Sequence, residues 1–116
     1  MSFDELKVYL LDKRAVSEET PFGPDTLVYK VRGKIFALVA WRTTPLRVSL
    51  KCRPARALAL RAEFAAVEPG YHLNKRHWNT LVLDDTLPQA LVYDLIDESY
   101  ELVVRNLPKS EREGLI

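Results

Sequence analysis

Apolar side chains recur every three or four residues at the start of the chain, which is typical of an amphipathic helix. Ser2 and Glu5 form a capping box ahead of them, so the pattern predicts a helix over residues 3–14. The segment 19–25 contains two prolines and a glycine and is therefore expected to be a loop.

Two further segments have the helical pattern. Residues 55–66 are rich in Ala, Leu and Arg, which are strong helix formers. Residues 87–106 carry the longest apolar stripe and predict the closing helix. Thr86 and Gln89 have the spacing of a second capping box, and Pro88 is expected in the first turn of that helix.

Between the first and second helical segments the hydrophobic period changes to about two, which is typical of strands. The pattern predicts strands over 27–31, 35–41 and 47–53, with a tight turn at 32–34. Residues 71–84 are also β-like and are expected to form two short strands.

The predicted element order is α-β-β-β-α-β-β-α. Short connections between the first three strands favour an antiparallel meander. If the helices cover one face of that sheet, the fold class is α+β with two layers. A chain of 116 residues suits one core, and residues 1–116 are expected to form a single domain.

Charge is distributed unevenly along the chain. The segment 26–83 contains eleven Lys and Arg residues but only two acids, Glu63 and Glu68, for a net charge of +9. The rest of the chain carries −8, so the overall formal charge of +1 hides the asymmetry. A positive segment of this kind favours binding to a polyanion, whereas cations scattered over several faces would only solvate the fold.

Strand alternation sorts these cations. In the third strand the apolar side chains Val48, Leu50 and Cys52 alternate with basic ones. If helices cover the apolar side, the cations collect on the open face, where they can contact a sugar-phosphate backbone. The expected phosphate-binding residues on or beside this face are Lys30, Lys34, Arg47, Lys51 and Arg53. A merely solvated sheet face is the alternative.

The segment 69–80 combines cations, aromatic rings, both histidines of the chain and two Asn residues, without an acid. Rings that stack on bases, cations that hold phosphate and amides that read base edges recur in nucleic-acid contacts. A hairpin of this composition would serve as a wing. The candidate contact residues are His72, Lys75, Arg76, His77, Trp78 and Asn79, although Tyr71 and Trp78 could instead be core anchors.

Four stretches of the chain resemble the MmcQ/YjbR family. They are FGPDTLVYKVRGKIFAL at 22–38, VSLKCRP at 48–54, PGYHLNKRHWNTL at 69–81 and LIDESYELVVRNLPKSER at 95–112. The resemblance implies a type III secretion chaperone-like or CyaY-like fold. It also implies a DNA-binding protein with a double-wing arrangement, and it carries no catalytic residues.

The sequence therefore predicts a nucleic-acid-binding protein, with duplex DNA as the partner and little sequence specificity. The alternative is a protein-binding adaptor that would use the second apolar face of the middle strand, formed by Phe36, Leu38 and Ala40. Exposed apolar residues there would equally suit a nucleic-acid platform.

Catalysis, a metal site and a cofactor are not expected. Cys52 alternates onto the apolar side, and His72 and His77 lack nearby thiol ligands. The single Cys favours a cytoplasmic location, as does an N-terminal segment that contains acids and has no small-residue cleavage site of a signal peptide. No apolar run is long enough to span a bilayer. The protein is expected to be a monomer without membrane contact, with a protein partner as a further possibility.

Overall fold

Ten elements follow one another in this computed structural model, which describes residues 1–115. They are α1 (Phe3–Leu11), β1 (Val16–Glu19), β2 (Thr26–Val31), β3 (Lys34–Ala40), β4 (Leu46–Lys51), α2 (Pro54–Glu63), β5 (Val67–Pro69), β6 (Trp78–Leu83), α3 (Gln89–Arg105) and α4 (Lys109–Arg112).

The six strands form one antiparallel sheet in the order β1-β2-β3-β4-β6-β5. The first four strands are a meander; the three predicted strands correspond to β2, β3 and β4, and β1 adds a fourth. The chain then crosses through α2, and β6 pairs with β4 while β5 forms the far edge. The α+β class, the antiparallel sheet and the packing of helices on one face are confirmed.

The turn between β2 and β3 has two residues outside the ladder, Arg32 and Gly33, and the pair Val31–Lys34 closes it. Arg32 has φ +50° and Gly33 has φ +81°. Positive φ at both central residues is the requirement of the two-residue hairpin whose twist matches that of the strands. The predicted turn is thus confirmed at residue level.

The helix-covered face holds the core. Leu6 and Leu10 from α1, Ala57 and Leu60 from α2, and the apolar stripe of α3 pack on it. Ser99 lies at the centre of this layer without solvent exposure. Its hydroxyl donates to the Phe36 carbonyl at 2.6 Å and accepts the Lys51 amide at 2.9 Å, which ties α3 to two strands.

A β-bulge interrupts the alternation of β3. Tyr29 pairs with Ala37 and Lys30 pairs with Ile35, so Phe36 has no partner on β2. The extra residue brings Phe36 into the core, where its ring meets Tyr100 edge-on at 5.4 Å. The prediction that Phe36 lies on the open face with Leu38 and Ala40 is therefore wrong.

Several element boundaries differ from the sequence prediction. The first helix ends at Leu11, and β1 follows where the pattern indicated only the end of a helix and a loop. In place of two strands within 71–84, the chain forms β5 before that segment and β6 at its end, and residues 70–77 connect them. The region after Pro108 contains the short α4.

The second capping box is also absent. The Thr86 hydroxyl and amide both bond to the carboxylate of Asp84, and these bonds lower the pKa of that carboxyl. Pro88 is the N-cap of α3 and makes no side-chain capping bond. A local turn at 84–86 has taken the Thr86 hydroxyl that a capping box would use.

Candidate functional site

A groove opens on the face of the sheet that the helices leave uncovered. Its volume is about 340 Å³, and its walls and floor come from β2, β3, β4, β6 and two loops. We call it the central groove; it is lined by Phe22, Thr26, Leu38, Ala40, Arg47, Ser49, Tyr71, His72, Leu73 and Thr80. Most of this surface is apolar, and the polar groups are few.

The floor of the central groove contains a buried pair of hydroxyls. Ser49 and Thr80 face each other on β4 and β6, and their oxygens lie 2.8 Å apart. Thr80 also accepts the Tyr71 amide at 3.1 Å. Whichever hydroxyl donates to the other, one O–H hydrogen of the pair has no acceptor within the part of the chain that the structure describes.

The two loops that border the groove lie at diagonally opposite corners of the sheet. The loop before β2 supplies Phe22 next to the Thr26 end of that strand, and the loop before β6 supplies Tyr71 near the Trp78 end. Both rings are largely solvent-exposed, Phe22 to 67 % and Tyr71 to 74 %. Large apolar side chains so exposed on both sides of one groove indicate a surface available to a ligand.

His72 has φ +57°, a left-handed backbone conformation that few residues other than glycine adopt. Its ring lies 4.0 Å from that of Tyr71, and both side chains line the central groove. Such backbone strain is often found where a loop shapes a ligand site.

A second concavity lies beyond the same loop. It has a volume of about 380 Å³, and we call it the basic cleft. It is formed by the end of β4, the start of α2, the loop 70–77 and the last turn of α3, and it is lined by Lys51, Cys52, Arg53, Pro54, Asn74, His77, Trp78, Leu102 and Asn106. Among residues 1–115, no carboxylate lines it.

The loop 70–77 separates the two concavities and is held at several points. The Gly70 amide donates to the Trp78 carbonyl, and the Arg61 guanidinium donates to the Lys75 carbonyl at 3.0 Å. A Cβ at Gly70 would approach the Trp78 Cβ to 2.7 Å and the Trp78 carbonyl oxygen to 3.0 Å. Glycine is thus required by space at this position.

Acids from outside the basic segment neutralise part of it. Lys30 pairs with Glu19 and Arg42 with Asp25, while Arg56 pairs with Glu98. Glu68, from within the segment, pairs with Arg47 at 2.7 Å. Folding therefore makes the surface of the basic segment less positive than its sequence alone suggests.

The remaining cations of the segment make no ion pair within 4.0 Å among residues 1–115. The register places them at or beside one end of the sheet, where the β2–β3 turn, the end of β4 and the loop 70–77 meet. We call this the basic end; its cations are Arg32, Lys34, Lys51, Arg53, Arg61, Lys75 and Arg76.

The predicted site residues are distributed unequally. Lys34, Lys51, Arg53, Lys75 and Arg76 belong to the basic end, and His77 and the half-buried Trp78 line its cleft. His72 faces the central groove instead. Lys30 and Arg47 are ion-paired on the open face. Asn79 is only 2 % exposed and its amide donates to the Ala57 carbonyl, so it lies in the core rather than on the wing.

Phe22, Ser49 and Thr80 were not among the predicted site residues. The strand pattern assigns Ser49 to the open face, but its pairing with Thr80 depends on β4 lying beside β6 across a helix. Phe22 lies in a Pro- and Gly-rich loop, whose direction no periodicity indicates. Its one signal is a large aromatic residue in a segment that is otherwise polar.

Groups for nucleophilic or metal chemistry are not assembled in the described residues. Burial raises the pKa of the Cys52 thiol, which disfavours the reactive thiolate. No group of three His, Cys, Asp or Glu side chains in residues 1–115 is positioned to hold a metal ion. None of the described helices has the length and apolar character needed to cross a bilayer.

The fold and its surfaces define a two-layer α+β protein with an open sheet face between two loops. The chain belongs to the YjbR family, whose sequence model matches residues 11–102. It is similar to the Escherichia coli K12 protein YjbR, with 35 % identity over all of this chain and 98 % of that protein. It is also similar to Escherichia coli O157:H7 YbdF, with 38 % identity over 80 % of this chain and 76 % of YbdF.

The crystal structure of Deinococcus radiodurans DR2400, a DUF419 domain, is similar with a TM-score of 0.92 and 39 % identity, over 98 % of this chain and 87 % of that one. The resemblance to the MmcQ/YjbR family is thus confirmed. The names of these relatives state no activity, so no residue role is transferred from them.

Proposed function

We propose that this protein binds nucleic acid by holding phosphates at the basic end of the sheet. The observation that carries the proposal is the concentration there of cations without a carboxylate partner among residues 1–115, while cations elsewhere in the basic segment are ion-paired. Unneutralised Lys and Arg side chains release counterions when they meet phosphates, and this release drives non-specific binding.

The first turn of α2 also makes the basic end a favourable place for an anion. Pro54 occupies the first turn, which contains no acid, and the N-cap Arg53 makes no side-chain capping bond. The amides of that turn and the helix dipole both favour a nearby negative charge. Lys51 and Arg53 line the same cleft, so a phosphate there would meet two cations as well as the amides of the helix.

The role proposed is binding rather than catalysis. Phosphate contacts of this kind fix a strand in place but read no sequence, so little sequence specificity is expected. The contacts at the basic end do not by themselves discriminate single from double strands. A cytoplasmic location, with access to nucleic acid, belongs to the same proposal.

The test is a fluorescence anisotropy titration against a random duplex and a random single strand at several salt concentrations. Lys75→Ala/Arg76→Ala should weaken binding and reduce the duplex salt slope by about 1.8, since each phosphate contact contributes about 0.9. Lys7→Ala/Arg42→Ala removes the same charge from ion pairs outside the basic end, and its slope should equal that of the wild type.

Absence of binding to both probes at low salt would overturn the proposal. Equal losses in the two double variants would show that net charge, and not the basic end, determines binding.

The second candidate is a protein-binding adaptor. The exposed Phe22 and Tyr71 side chains favour it, because exposed aromatic residues are common at protein interfaces. An adaptor would bind a stoichiometric protein partner with a weak salt dependence and would be unaffected by Lys75→Ala/Arg76→Ala. These two outcomes together would replace the first proposal.

A further inference from the structure

We propose that the central groove accepts an unpaired nucleobase of the strand whose phosphates the basic end holds. This inference rests on the proposed function. It changes the expected partner from duplex DNA to a strand with unstacked bases, because extruding a paired base from a duplex costs a few kcal/mol of unpairing and unstacking that a single strand largely avoids.

The dimensions of the groove favour a small planar group. Its volume of about 340 Å³ lies near the lower limit of ligand pockets, which is roughly 300 Å³. Leu38 and Ala40 provide an apolar floor, and the exposed rings of Phe22 and Tyr71 border it on opposite sides. Aromatic side chains beside an apolar floor are the recurrent platform on which bases stack.

The buried hydroxyl pair provides the polar recognition. Ser49 is 8 % exposed and Thr80 is 2 % exposed, and between them one O–H has no acceptor among residues 1–115. That hydrogen can donate to solvent in the open groove, and a carbonyl oxygen or ring nitrogen of a base that displaces the solvent would accept it instead. An aliphatic side chain placed in the groove would leave that donor unsatisfied.

The position of the groove connects it to the basic end. Tyr71, His72 and Leu73 line the groove, while Asn74 and His77 of the same loop line the basic cleft. A strand lying over this loop would place phosphates on one side and a base on the other. Arg47, at the edge of the groove, is already neutralised by Glu68, so the groove itself is suited to an uncharged base.

The experiment compares two probes of equal charge. One is a 12-residue oligothymidylate, and the other is a strand of the same length with abasic sites throughout. Wild-type protein should bind the oligothymidylate about 5- to 150-fold more tightly, which is the range for stacking of one base. Both probes should show the same salt slope, because their phosphates are the same.

Phe22→Ala and Tyr71→Ala should each reduce binding to the oligothymidylate towards that of the abasic strand, with the salt slope unchanged. Both side chains are exposed, so these variants are expected to fold. Val8→Ala, which truncates an apolar side chain of α1 that is 68 % exposed, is the matched control and should retain the wild-type preference.

The outcomes separate the two proposals. Equal, salt-dependent binding of the two strands by wild-type protein would overturn the base site but leave phosphate binding intact. The same would follow if Phe22→Ala and Tyr71→Ala kept the full preference for the oligothymidylate. Absence of binding to either strand at low salt would overturn the proposed function, and the base site with it.

Discussion

The two faces of the sheet differ in how their polar groups are used. On the helix-covered face, the buried Ser99 hydroxyl binds two backbone groups, one as donor and one as acceptor, and it has no remaining hydrogen. On the open face, the buried Ser49 and Thr80 hydroxyls retain one hydrogen without an acceptor among residues 1–115. The Ser99 bonds tie α3 to the sheet, whereas the remaining hydroxyl hydrogen on the open face is available to a ligand in the groove. Asn79 on the helix-covered face also has an unpartnered atom among residues 1–115, its buried Oδ1, but it faces the core and not a groove.

The largest expected loss of stability is at Phe36, which the β-bulge places in the core while Leu38 remains on the open face. Phe36→Ala should lower the free energy of unfolding by about 3–5 kcal/mol, because it leaves a cavity in the core. Leu38→Ala, two residues along on the half-exposed groove floor, should cost less than about 2 kcal/mol, because solvent and neighbouring side chains can fill the space. Urea denaturation measures both; equal losses would contradict the bulge.

The two buried serines provide the next comparison. Ser99→Ala should lower the free energy of unfolding by about 2–4 kcal/mol, since it leaves the Phe36 carbonyl and the Lys51 amide without a partner. Ser49→Ala should cost about 1 kcal/mol or less, because Thr80 keeps its bond from the Tyr71 amide. A larger cost at Ser49 than at Ser99 would reverse the assignment of roles.

A smaller effect is expected for the ion pair on the open face. Arg47 and Glu68 are both partly exposed, and their double-mutant cycle to Ala should give a coupling of about 0.2–1 kcal/mol that weakens with added salt. A coupling well above this range, unaffected by salt, would mean that the pair is a structural part of the sheet.

Tyr9 in the helix layer gives the stability a pH dependence that is seen only at alkaline pH. Burial, with a hydrogen bond to Asp97, raises the pKa of Tyr9 to about 12 from its ordinary value of 10.0. The unfolded chain therefore loses this proton first, and stability falls as pH rises from about 10 to 12. Tyr9→Phe should show a shallower alkaline decline in the free energy of unfolding.

The decline should not vanish in that variant. Tyr29 remains, and burial followed by its hydrogen bond to Glu18 raises its pKa in the same direction. An unchanged alkaline decline in Tyr9→Phe would contradict the Tyr9–Asp97 contact.

Most of the fold could be predicted because its signals are local. The alternation in β4, the two positive φ angles of the turn at Gly33 and the apolar stripe of α3 all lie within short windows. The position of Phe36 could not be predicted, because a bulge is defined by the partner strand. For the same reason β1, whose partner is β2, was missed.

The candidate site was less predictable than the fold. The sequence indicates which residues are cationic, and Lys51, Lys75 and Arg76 do lie at one end of the sheet. It does not indicate that Glu19 and Glu68 neutralise Lys30 and Arg47, because ion pairs form between segments far apart in sequence. The groove is formed where two loops that are distant in sequence meet one face of the sheet. No short stretch of sequence contains both loops.

The close packing at Gly70 has a consequence for how the two surfaces would act together. One short segment is a wall of both concavities, and the glycine lets that wall lie against the tryptophan at its base. Because this wall is shared, a shift of the segment caused by an occupant on one side would change the shape of the other concavity. The two affinities would then rise or fall together, by the same factor in each direction.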